Sequence, residues 1–119
     1  MSEISPIDRL RHMLDAARKA AQFVQGKTRA DLDRDEMLML ALVRLLEVIG
    51  EAATCVTDDI RQRTSQIPWR EISGTRHRLV HGYFDVDLDI VWEIVTHDLP
   101  SLIAELERFF STSSENQHG

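Results

Sequence analysis

With 119 residues, 43% of them apolar and 29% charged, the chain has the composition of one soluble folded domain and no room for a second core. A net charge of −6 excludes a protein that coats nucleic acid by bulk charge, but it leaves room for a local basic site. A single cysteine, Cys55, excludes an internal disulfide framework and a four-cysteine zinc site.

Five glycines and three prolines favour a few long elements over many short strands. Ser5 is a good N-cap with Pro6 at the first helical position, and Ile7, Leu10, Leu14, Ala17, Ala21 and Val24 follow at helical spacing. A first helix is expected over 6–25, stopped by Gly26. Lys27 to Asp33 reads as a loop, and Asp33 with Glu36 matches the capping-box spacing for a second helix. That helix carries one apolar stripe through Leu38, Leu42, Leu45, Ile49 and Ala52 and another through Met39, Val43, Leu46 and Ala53. Only a narrow strip of Arg44, Glu47, Glu51 and Asp58 is polar, so the helix must be covered on two sides, and a homodimer is the economical cover. The Val56–Asp59 stretch leaves its end open.

Pro68 starts a third helix, expected over 68–82. Asp87 caps a fourth, whose stripe runs from Leu88 through Trp92, Val95, Leu99, Leu102 and Leu106, with Pro100 placed to kink or split it. Residues 111–119 are polar and read as a disordered tail behind a 1–110 domain. No apolar run approaches the ~20 residues a membrane helix needs, and the first residues lack a signal-peptide pattern, so a cytoplasmic protein is expected. The fold class is all-α, an antiparallel four-helix bundle.

The chemistry concentrates between Arg61 and His81. Five arginines (61, 63, 70, 76 and 78) face one acid there, Glu71, while the rest of the chain is strongly acidic. A solvated face paired with Asp85, Asp87 and Asp89 would be the ordinary use of such a run. Arg76, however, falls in the apolar stripe between Ile72 and Leu79. A guanidinium there is partly desolvated and needs an anion, either Glu47 or Glu51 of the second helix or a phosphate. Arg70, Gly74, His77 and His81 run along the other side, where Gly74 would let a ligand or helix approach. Arg76 and His81 diverge by roughly 140° on an ideal helix. They converge on one phosphate only if the last turn loosens or a second copy contributes. His77 and His81 have metal-ligand spacing, but a third ligand is missing and Arg76 and Arg78 would repel a cation, so no metal or cofactor is expected.

The stretch Ile67-Pro68-Trp69-Arg70-Glu71-Ile72-Ser73-Gly74-Thr75-Arg76-His77-Arg78-Leu79-Val80-His81-Gly82-Tyr83-Phe84 resembles the signature of HepT-type HEPN proteins, the toxin halves of HEPN/MNT toxin–antitoxin modules. Their motif of Arg, four residues, His, any residue and Tyr falls on Arg76, His81 and Tyr83. Arg44 to Ala53, Val91-Trp92 and Asp98-Leu99-Pro100 also look like family segments. Two positions depart from the pattern: His77 stands where Asn is usual, and Thr75 where an apolar residue is usual. The resemblance implies a dimeric, metal-independent endoribonuclease with Arg76 and His81 catalytic, and with Arg78 and His77 in support. It also implies a nucleotidyltransferase antitoxin partner that can transfer AMP to Tyr83. Related HEPN proteins imply an alternative, a non-catalytic module that presents a substrate to such a transferase.

Overall fold

A computed structural model describes residues 5–81 and 85–118, with side chains described for 5–79 and 85–112. Helix α1, Pro6–Phe23, starts as the sequence predicts: the Ser5 hydroxyl accepts the Asp8 N–H at 3.1 Å and Pro6 follows the cap. It ends two residues before the expected boundary, and Gly26 turns the chain with φ +75°. The expected loop holds a short helix α2, Asp31–Arg34, so Asp33 lies inside a turn and caps nothing. Asp35 instead caps α3, Glu36–Thr54, by accepting the Leu38 N–H at 3.0 Å. Asp31 faces back, accepting the Thr28 N–H at 2.7 Å. That bond, more than any other contact, holds its carboxyl below the usual pKa.

The second helix therefore stops at Thr54, and Asp58–Arg63 forms a separate α4 beyond the turn. The expected third helix is broken. Trp69–Ser73 forms α5 and Thr75–Leu79 forms α6, with Gly74 between them. A Cβ at Gly74 would make ordinary contact with the carbonyl oxygens of Arg70 and Glu71, 3.4 and 3.7 Å away in its own preceding turn. The Thr75 hydroxyl donates to the Ile72 carbonyl at 2.7 Å and takes the place of a main-chain donor at the break. This bond also explains how a polar residue is buried at position 75.

After Leu79 the chain is extended. Strand β1, Val80–His81, pairs antiparallel with β2, Asp85–Val86, and the Asp87 N–H donates to the Leu79 carbonyl at 2.8 Å. Asp87 then caps α7, Leu88–Glu93, through the Ile90 N–H. A π-helical turn at Ile94–Asp98 leads into α8, Leu99–His118. Pro100 has no N–H to give the Thr96 carbonyl and its ring crowds that turn, so the helix widens just before it. Past Ser111, α8 runs on as helix, because extension costs little and no Pro or Gly intervenes before Gly119.

Helices α1, α3, α5–α6 and α7–α8 enclose one core, in which Leu10, Met13, Leu42, Leu46, Leu79 and Leu106 are essentially fully buried. Each such side chain contributes roughly 1.5–3 kcal/mol by leaving water. Met37 is 82% and Leu40 54% exposed near the start of α3, so the bundle leaves part of that helix's apolar surface uncovered. Among the described residues no helix is long and apolar enough to cross a membrane.

Candidate functional site

Helix α6 is short, and its sides do different things. Thr75 and Leu79 point into the core. Counting the apolar stripe straight through Gly74 placed Arg76 there. On that side Ile72, Thr75 and Leu79 are the buried residues, and Arg76 is exposed together with His77. The expectation of a desolvated Arg76 is therefore corrected.

Arg76 and His77 border a groove of about 230 Å³ whose other wall is α3, through Arg44, Glu47, Gly50, Glu51 and Thr54. Both carboxylates that could have neutralised Arg76 line this groove. Neither forms an ion pair with it, and among the described residues Arg76 has no partner. An unpaired guanidinium beside an imidazole, in a polar cleft, is equipped to hold a phosphate with donors to spare.

Gly50 makes this geometry possible, and the sequence reading passed over it. A Cβ at Gly50 would lie 3.3 Å from the Ile72 carbonyl oxygen and 3.5 Å from the Thr75 Cβ, so glycine is what lets α3 lie close against α5–α6. The available signal was a lone glycine in the interior of a 19-residue helix.

The five-arginine run does not form one patch. Arg78 points to the other side of α6, where its Nη1 donates to Asp98 at 3.4 Å. There it rims a cavity of about 330 Å³ floored by Leu46, Ile49, Ile72, Ile94, Leu99 and Leu102. Arg61 is structural: it donates to the Ala53 carbonyl at 2.7 Å and lies over the Trp69 ring at 5.5 Å, tying the end of α3 to α5. Arg63 lies over the Phe109 ring at 5.4 Å, and Arg70 is exposed. Of the suggested acids, Asp89 pairs with Arg29 and Asp87 caps α7.

His81 follows the end of α6 by two residues, on β1, so the helical 140° divergence from Arg76 no longer applies. The i, i+4 helical spacing of His77 and His81 is likewise lost. The His81 side chain and Tyr83 lie outside the described residues. Among the described residues no three metal-ligating side chains are grouped.

The site is thus a polar groove of an all-α bundle, bordered by Arg76 and His77. The family model described as ribonuclease HepT-like matches residues 13–109, and the chain belongs to that family. It is 37% identical over 98 residues to "Putative RNase TTE0752" of Caldanaerobacter subterraneus subsp. tengcongensis, covering 82% of this chain and 88% of that one. It is 34% identical over 101 residues to "Probable ribonuclease HepT" of Thermococcus cleftensis, covering 85% and 92%. No solved structure matches the chain significantly.

Proposed function

We propose that the protein is an endoribonuclease that cuts RNA without a metal, through attack of a ribose 2′-hydroxyl on the adjacent phosphate. The observation that carries this reading is the unpaired Arg76, held beside His77 in a groove of a ribonuclease-family chain. Arg76 binds the scissile phosphate and stabilises charge as it grows on the non-bridging oxygens. His81, two residues past the end of α6, takes the 2′-hydroxyl proton. The new bond from the 2′-oxygen to phosphorus forms as the bond to the 5′-oxygen breaks. The departing 5′-oxygen takes a proton from water, leaving a 2′,3′-cyclic phosphate and a 5′-hydroxyl, and His81 returns its proton to solvent. His77 orients the phosphate from the same groove. Glu47 and Glu51 set the local field around Arg76, and Arg78 supports only at a distance, because Asp98 already engages it.

In the cell the protein acts as the toxin of a two-component module, and its partner is a nucleotidyltransferase antitoxin that transfers AMP to Tyr83. An AMP group beside Arg76 and His81 would occupy the phosphate position with an anion of its own. Two copies associate through the exposed start of α3 at Met37 and Leu40, and the groove lies in the cleft between them.

The test is cleavage of a defined RNA by purified protein in the presence of a chelator, with product ends identified. Cyclic phosphate ends that disappear in His81→Ala support the reading. Intact RNA under all conditions of pH and salt defeats it. Intact mass after co-expression with the neighbouring transferase checks the partner: an increment of ~329 Da per AMP, mapped to Tyr83, is expected.

A further inference from the structure

The groove at Arg76 does not end at α3. A second groove of about 260 Å³ adjoins it, bordered by Arg9 and His12 of α1 and by Arg44, Val48, Glu51 and Ala52 of α3. The two share Arg44 and Glu51, so one surface runs from α6 across α3 to α1.

The arginines along it are distinguished by what they lack. Of twelve arginines in the chain, five pair with carboxylates (Arg18, Arg29, Arg34, Arg78 and Arg108). Arg61 is held by a carbonyl, and Arg11 and Arg63 lie over phenylalanine rings. Among the described residues only Arg9, Arg44, Arg70 and Arg76 have no partner, and three of these four border the joined grooves. Carboxylates outnumber cations in this chain, so a shortage of acids does not explain the pattern.

We infer that Arg9, His12 and Arg44 form a flanking site that holds the phosphates of single-stranded RNA next to the scissile one held by Arg76. This inference rests on the ribonuclease reading for its substrate class. A guanidinium takes a phosphate through two parallel N–H donors, and free guanidinia spaced along a groove suit a flexible chain of phosphates. Glu47 and Glu51 face the same surface, and they disfavour the dense, regular charge of a duplex. A single strand can set its phosphates on the arginines and carry a ribose or base over Val48 and Ala52.

The experiment measures binding of a fluorescent 2′-O-methyl octaribonucleotide, which cannot be cut, to the full chain over a range of salt. Arg9→Ala/Arg44→Ala should weaken binding 10- to 100-fold at low salt. It should also reduce the slope of log K against log salt by about 1.4, two phosphate contacts at ~0.7 each. Arg34→Ala, at an arginine paired with Asp31, should stay within twofold of the parent. Arg9→Gln/Arg44→Gln repeats the test should the alanine pair fail to fold. An unchanged affinity and slope overturn the inference, as does an equal loss in Arg34→Ala. The unmethylated octamer separates the two claims. Binding that depends on Arg9 and Arg44 without any cutting leaves the flanking site standing and removes the nuclease. Cutting with binding indifferent to both arginines does the reverse.

Discussion

Arg76 and Arg78 sit two residues apart on a five-residue helix and have opposite circumstances. Arg78 is half-buried, reaches Asp98 and rims an apolar cavity. Arg76 is exposed, borders a polar groove with two carboxylates in it, and bonds to neither. The contrast shows that local charge density does not define a site. Of five arginines in one stretch of sequence, three engage an acid, a carbonyl or a ring, and two have no partner among the described residues. Only one of those two is in a groove beside a histidine.

The largest effect that would sharpen this contrast is on catalysis. Arg76→Ala should lower the RNA cleavage rate by about 100-fold or more, the loss typical of a donor aimed at a developing oxyanion. Its stability should move by less than ~0.5 kcal/mol, because the side chain is exposed and has no partner among the described residues. Thermal melts and initial rates on the same samples separate the two.

Next comes the wall that brings Arg76 to its groove. Gly50→Val should destabilise the fold by ~1–3 kcal/mol, because its Cβ would press on the Ile72 carbonyl 3.3 Å away. Urea unfolding reads that loss, and a variant as stable as the parent would show that α3 and α5–α6 are not closely packed there. Arg78→Ala should be milder. A half-exposed pair at 3.4 Å contributes under ~1 kcal/mol, and cleavage should fall less than tenfold.

The smallest effect lies far from α6. Asp31 has its pKa held down, chiefly by the Thr28 N–H, so its contribution to stability is complete above the ordinary carboxylate range. That contribution is lost as pH falls through the depressed folded value. Asp31→Asn should therefore cost a little stability at neutral pH, where the contribution is complete, and draw level with the parent below about pH 4, the unperturbed Asp value, which flattens the acid limb of the stability profile.

How much the sequence disclosed differs between the same regions. The long helices were legible, because Leu10, Leu42, Leu99 and their neighbours repeat at helical period and because Ser5 and Asp87 cap with their own side chains. The split before Pro100 was legible for the same reason, since a missing N–H is a local fact. Around Gly74 the signal failed. Thr75 and Arg76 stand at equally good helical spacing from Ile72 and Leu79, and it is Thr75 that is buried, with its hydroxyl bonded back to Ile72. Arg76 was therefore placed in the apolar stripe and expected to be partly desolvated. Asp33 was chosen over Asp35 because the turn Asp31–Arg34 is too short to show a period. The groove itself could not be read from spacing, because it depends on how closely α3 approaches α5–α6. That approach rests on the absence of one side chain, at Gly50.

The most direct test of the division between the two faces of α6 is the ratio of single-turnover RNA cleavage rates in Arg76→Ala and Arg78→Ala, measured against the parent protein. A loss of about two orders of magnitude for the first and less than one for the second is the expected result. Equal losses, or the greater loss in Arg78→Ala, would place the reacting phosphate on the Asp98 side of the helix and contradict the assignment.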